Sequence, residues 1–118
     1  MTDASAPARI RVVDDDRAVR LLARRALEQE GFVVDEAPDG ESGIRRFEAA
    51  PPDLLLLDVM MPRLDGLDTC RAIRQRAIGT HVPILMMTAS DDVESIHRAF
   101  EVGATDFVSR PLPWALLG

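Results

Sequence analysis

Four consecutive leucines, Leu54-Leu55-Leu56-Leu57, run directly into Asp58. A segment that is apolar on both faces cannot lie on a sheet with one wet side; it belongs in the middle of a parallel sheet covered by helices above and below. Periodicity alone would also allow a buried helical turn. The brevity of the run and the prolines around it, Pro51-Pro52 before and Pro62 after, favour a strand. A central parallel strand requires crossover connections on both sides, so the rest of the chain should alternate strand and helix.

It does. Arg9 to Val13 reads as a first strand ending in Asp14-Asp15-Asp16. A helix follows from about Ala18 to Glu30, with Val19, Leu22 and Ala26 as its expected buried stripe, Leu21 beside them, and Arg20, Arg24, Arg25 and Glu28 as polar surface. Gly31 stands where a left-handed residue closes a helix. Phe32-Val33-Val34 opens a second strand, and Asp39 is the expected N-cap of a helix carrying Ile44 and Phe47. After the leucine strand, the loop Met60 to Gly66 feeds a third helix with Leu67, Cys70 and Ile73. Val82 to Met87 reads as a fourth strand. Ser90 with Glu94 opens a fourth helix with Val93, Ile96, Ala99 and Phe100 as its stripe, closed by Gly103. Asp106-Phe107-Val108 is a short fifth strand, and Pro113 to Leu117 looks like the first turn of a last helix. The expected architecture is a doubly wound five-stranded parallel α/β sheet with right-handed crossovers. Residues 1–8 read as a loose tail and 9–118 as one domain, a fragment of a longer protein with its last helix truncated.

Charge and cysteine content narrow the function. Fourteen basic against twenty acidic residues leave a net charge of −6, which repels phosphate backbones and anionic membrane surfaces. One Trp, four Phe and no Tyr give little platform for base stacking. A single cysteine, Cys70, excludes an internal disulfide and a CxxC metal site. No apolar run approaches the ~18 residues of a membrane span, and the first residues lack the pattern of a signal peptide. The expectation is a cytoplasmic domain without direct nucleic-acid or membrane contact.

The polar residues at strand ends then stand out. Asp14 and Asp15 end the first strand, Asp58 the third and Thr88 the fourth; Arg110 follows the fifth. In an open α/β sheet these ends share one rim, where ligands bind at the reversal of strand order. Three carboxylates gathered there repel one another unless a cation sits among them, and an all-oxygen set suits Mg²⁺. A hydroxyl and a fixed positive charge beside the metal would cradle a phosphoryl group. The physical reading is a small acidic Mg²⁺ pocket in which one carboxylate attacks phosphorus.

The segments Val12-Val13-Asp14-Asp15-Asp16, Leu57-Asp58 through Asp65-Gly66, Met87-Thr88-Ala89-Ser90 and Gly103 through Arg110-Pro111 resemble the receiver domain of bacterial two-component response regulators. Each is weak alone; four in order, with Asp14, Asp58, Thr88 and Arg110 separated by 44, 30 and 22 residues, are specific. The resemblance implies a flavodoxin-like strand order 2-1-3-4-5. It implies Asp58 as phosphoacceptor from a sensor histidine kinase or phosphotransfer protein. Asp14, Asp15, Asp58 and the Met60 backbone carbonyl would be Mg²⁺ ligands, and Thr88, Ala89 and Arg110 would bind phosphoryl oxygens. Thr88 and Phe107 would form a conformational switch, and Pro111 would follow a cis bond. It further implies control of a C-terminal output domain and leaves open a homodimer through the face of the fourth helix, fifth strand and last helix. Arg110 departs from the pattern, which has lysine there; guanidinium is a wider, planar fork, so switching should be altered more than phosphorylation. The segment Arg110 to Gly118 resembles the lead into diguanylate cyclase output domains.

Other readings compete. A pseudo-receiver would use the same fold for protein contacts without accepting phosphate. An aspartyl phosphatase would carry its nucleophile after the first strand and a second carboxylate two residues on, which Asp58-Val59-Met60 lacks. A flavin carrier would not place three aspartates beside a phosphate. Asp16 reads better as a helix cap than as a ligand, Asp65-Gly66 as a turn, and His81 and His97 as surface or satisfied core positions. Cys70 reads as a small buried hydrophobe.

Overall fold

The computed structural model describes residues 7–76, 81–88 and 93–109, with backbone alone at 88, 93–95 and 109. Its elements are β1 (Arg9–Val13), α1 (Arg17–Gln29), β2 (Val33–Ala37), α2 (Gly40–Ala49), β3 (Leu54–Asp58), α3 (Gly66–Arg74), β4 (Ile84–Thr88), α4 (Val93–Glu101) and β5 (Asp106–Ser109). The five strands form one parallel sheet in the order β2-β1-β3-β4-β5. The leucine strand is its centre, and Leu55, Leu56 and Leu57 are wholly buried.

Alternation along the strands divides the core in two. Val13, Leu55, Leu57, Ile84 and Met86 face Phe47 of α2, Cys70 and Ile73 of α3, and Ala99 of α4. Ile10, Val12, Val34, Leu56 and Met87 face Ala23 and Leu27 of α1. Helix starts follow their caps: the side chain of Asp16 accepts from the Ala18 N–H, that of Asp39 from Ser42 and that of Asp65 from Asp68. Gly31 and Gly103 close α1 and α4 at φ +95° and +100°, in the left-handed region that glycine enters without a Cβ clash.

One expected stripe is displaced, and another loses a member. In α1, Leu22 is 62% exposed and Leu21 is also exposed, whereas Ala23 and Leu27 are buried and Val19 and Ala26 half-buried. The helix is rotated by about one residue step, roughly 100°, from the expected orientation. The rotation brings Arg20 and Arg24 against β2, where both pair with Glu36. In α4, Phe100 is exposed while Ala99 faces the core; its ring instead meets that of Phe107 edge-to-face, with centroids 6.1 Å apart. His81 and His97 lie on the surface. The expected turn at 113–117 and the Pro111 peptide lie outside the described residues.

Candidate functional site: an acidic pocket at the switch in strand order

Strand order reverses between β1 and β3, so the crevice beyond their carboxyl ends is the natural ligand position. The register pairs Val13 with Leu57, which brings the next residues, Asp14 and Asp58, side by side at the rim. Backbone bonds from Asp14 N–H to the Ala37 carbonyl (3.2 Å) and from Val59 N–H to the Met87 carbonyl (3.1 Å) carry each ladder just past the strand ends. The rim is therefore anchored, although it is loop by sequence.

Carboxylate oxygens of Asp14, Asp15 and Asp58 all lie within 4.8 Å of one another. Asp14 is fully buried, Asp58 is 3% exposed, and Asp15 is exposed. The side chain of Asp14 accepts from the Asp16 N–H at 2.9 Å, and that of Asp58 from the Met60 N–H at 3.2 Å. Asp16 turns away to cap α1, as its sequence context suggested. Met60 is 74% exposed, so the pocket opens to solvent beside it.

Gly66 holds the loop closed beneath Asp58. Its N–H donates to the Val59 carbonyl at 3.0 Å, and a Cβ here would collide with the Asp58 backbone carbonyl. Only a hydrogen fits, which is the reason for glycine behind Asp65. The same loop carries Arg63 at φ +64°, a conformation unusual for a side chain of this size; its guanidinium reaches Asp39 (3.5 Å) and Glu41 (3.8 Å) at the start of α2.

Arg20 is the site residue that composition and periodicity did not reveal. Its Nη1 donates to the Asp14 backbone carbonyl at 2.7 Å, and its Nε donates to Glu36 at 3.0 Å. Neither Arg20 nor Glu36 bears a sequence signal of this role, because an arginine on a helix and an acid on an edge strand ordinarily face solvent. The backbone of Thr88 ends β4, one residue past the partner of Asp58, and pairs with Ser109. Ala89 and Arg110 lie outside the described residues, and so does the Thr88 side chain. Phe107 is half-buried beside the core formed with α2, α3 and α4.

Gathered like charges at low exposure call for a compact cation of opposite sign. The donors are all oxygen, which suits a hard divalent ion such as Mg²⁺ better than metals that prefer thiolate or imidazole. The ordinary carboxylate range is perturbed elsewhere: hydrogen bonds from the Ser42 backbone N–H, then its hydroxyl, hold Asp39 below its usual value of 3.8. Burial pushes the Cys70 thiol up to about 11, in keeping with an inert packing role.

A parallel sheet of order 2-1-3-4-5 with an acidic crevice at its switch point defines a flavodoxin-like domain of the chemotaxis-regulator type. The chain belongs to the response regulator receiver domain family, whose model matches residues 10–117. It is 46% identical over 105 residues to the response regulator MprA of Mycolicibacterium vanbaalenii, and 47% identical over 103 residues to that of Mycobacterium ulcerans. These alignments cover 89% and 87% of this chain but 45% and 44% of the relatives, so the chain spans about half their length. Among solved structures, Vibrio cholerae chemotaxis protein CheY4 superposes with a TM-score of 0.90 at 29% identity, covering 95% of this chain and 93% of that one. A putative response regulator from Chloroflexus aurantiacus gives 0.90 at 33% identity, covering 95% and 92%. The chain is thus a receiver domain of a two-component response regulator. Among the described residues no helix is long and apolar enough to cross a membrane.

Proposed function

We propose that this receiver is a phospho-accepting switch in which Asp58 is the nucleophile. The observation that carries the reading is the approach of three carboxylates within 4.8 Å at the switch point, with Asp58 nearly buried among them. Asp14, Asp15 and Asp58, with the Met60 backbone carbonyl, would hold Mg²⁺; bound there, the ion would offset the negative charge of nucleophile and phosphate alike. A carboxylate oxygen of Asp58 forms the new bond to phosphorus while the phosphorus–nitrogen bond of a kinase phosphohistidine breaks, and the imidazole nitrogen leaves with the electron pair and takes a proton. The Met60 N–H, already directed at Asp58, orients the carboxylate. Thr88, the Ala89 N–H and Arg110 are the proposed partners of the phosphoryl oxygens, and Phe107 the element that follows Thr88 on phosphorylation. The protein's partners on this reading are a histidine kinase or phosphotransfer protein and an output domain of its own. The diguanylate cyclase output suggested by the last nine residues draws no support from relatives named as response regulator MprA.

Arg110 favours one competing reading, that of an interaction module which never takes phosphate. Against it, all fourteen basic residues of this chain are arginine, so Arg110 follows the chain's general usage and keeps the charge. Intact-mass measurement after treatment with acetyl phosphate and Mg²⁺, and with a cognate kinase, decides. The expected result is one added phosphoryl group, lost in Asp58→Asn; no addition by either donor leaves the interaction module.

A further inference from the structure

We infer that Arg20 and Glu36 form a positioning pair that sets the affinity of the acidic pocket for a divalent cation. The inference rests on the pocket reading above and assigns a role to two residues outside the carboxylate set. The planar peptide between Asp14 and Asp15 carries its oxygen on Asp14, and fixing that oxygen fixes the direction in which the chain enters Asp15. Arg20 holds it through Nη1 at 2.7 Å, while the Asp14 N–H is held by the Ala37 carbonyl at 3.2 Å. The Asp14–Asp15 junction is therefore tied on one side to α1 and on the other to β2.

Glu36 makes this grip one-directional. Its Oε1 accepts from Arg20 at 3.0 Å, and its Oε2 meets Arg24 at 3.1 Å, whose Nη2 is itself committed to the Val34 carbonyl at 2.6 Å. Arg20 and Glu36 side chains are only 14% and 25% exposed, so the pair is held by packing as well as by charge. The guanidinium cannot swing toward the carboxylates without abandoning Glu36. The Arg20 guanidinium is thereby kept from competing with a metal ion for the carboxylates, while its fork aligns the backbone that aims Asp14 and Asp15.

Charge alone and positioning predict opposite signs. Removing a positive charge beside an acidic site tightens cation binding if only Coulomb attraction matters; it weakens binding if the residue acts by holding the ligands. The test is isothermal titration of the chain and its variants with MgCl₂, alongside thermal unfolding in EDTA. Arg20→Met should raise the Mg²⁺ dissociation constant about tenfold, Arg20→Lys should restore part of the affinity, and Glu36→Gln, which leaves the bond to Asp14 available, should weaken binding about twofold. Unchanged or tighter binding in a folded Arg20→Met variant overturns the inference, as does a loss of thermal stability in EDTA with no change in affinity. If Arg20→Met does not fold, Arg20→Lys carries the decision, because it keeps the charge and loses the planar fork: weaker binding supports the pair and unaltered binding removes it. An unsubstituted chain that binds no Mg²⁺ would overturn the pocket reading itself, and this one with it.

Discussion

The two ends of the strands treat charge in opposite ways. At the carboxyl rim three like charges are drawn together, two of them buried. Away from the rim, buried charge is instead paired with opposite charge and backbone carbonyls, although the Arg11 Nη1 is left without a partner among the described residues. Arg11, 3% exposed in its side chain, grips both carboxylate oxygens of Asp35 at 2.6 and 3.1 Å and the Ala50 carbonyl at 2.7 Å, tying β1 to β2 and to the end of α2. Arg74 does the same for α3 and the β5 side, donating to the Gly103 and Val82 carbonyls at 2.8 and 2.6 Å and to Thr105 at 3.2 Å. The paired arginines tie elements of the fold together, whereas the carboxyl rim gathers the residues of the proposed site. A parallel sheet permits this division because all its strands finish on one side.

The contrast can be broken most severely at Arg11. Arg11→Met should lose about 2–3 kcal/mol of unfolding free energy, since the carboxylate and carbonyl it satisfies are left without it; urea denaturation measures this, and a loss below half that value would mean the amino end does not depend on matched charge. At the other end the sign reverses. Asp58→Asn removes one of three like charges while keeping an oxygen for the Met60 N–H, so in EDTA it should stabilise the domain by about 1–2 kcal/mol. A destabilised Asp58→Asn under those conditions would show that the rim is not under electrostatic strain.

Smaller effects sharpen the picture. Asp39 has a lowered pKa when folded, so its carboxylate stabilises the native state above the ordinary value of 3.8, and that contribution is lost as pH falls through the folded value. Asp39→Asn, which still caps a helix, should therefore differ from the parent by about 0.5–1 kcal/mol at pH 7 and converge with it in acid; denaturation at a series of pH values reads the convergence. Leu22→Ser should change stability by less than about 0.5 kcal/mol, whereas Leu27→Ala should cost about 2–4 kcal/mol. Equal effects at the two positions would contradict the rotation of α1.

Much of this is legible in the sequence. The four leucines read as a central strand, and Asp39 as a helix cap, because each depends on neighbours a few residues away. Asp14, Asp15 and Asp58 could be proposed together because strand ends in an open parallel sheet share a rim. Leu22 departs from the expected stripe for a reason of the same kind: two stripes in α1 obey the same helical period, and hydrophobicity alone prefers the one richer in leucine. The smaller one won, since it lets Arg20 and Arg24 reach Glu36 while Ala23 and Leu27 pack on the sheet. Phe100 was displaced similarly, toward the Phe107 ring.

Local pattern thus determined the alternation of elements, their caps and the chemical type of the rim, all of which are encoded in residue spacing. Tertiary structure alone decided which face of α1 is buried, the 4.8 Å convergence of the carboxylates, and the grip of Arg20 on Asp14. The physical reason is range. Propensity and periodicity act within one turn or strand, whereas the direction of a long polar side chain is set by whichever distant backbone or charge it can satisfy once the sheet has closed.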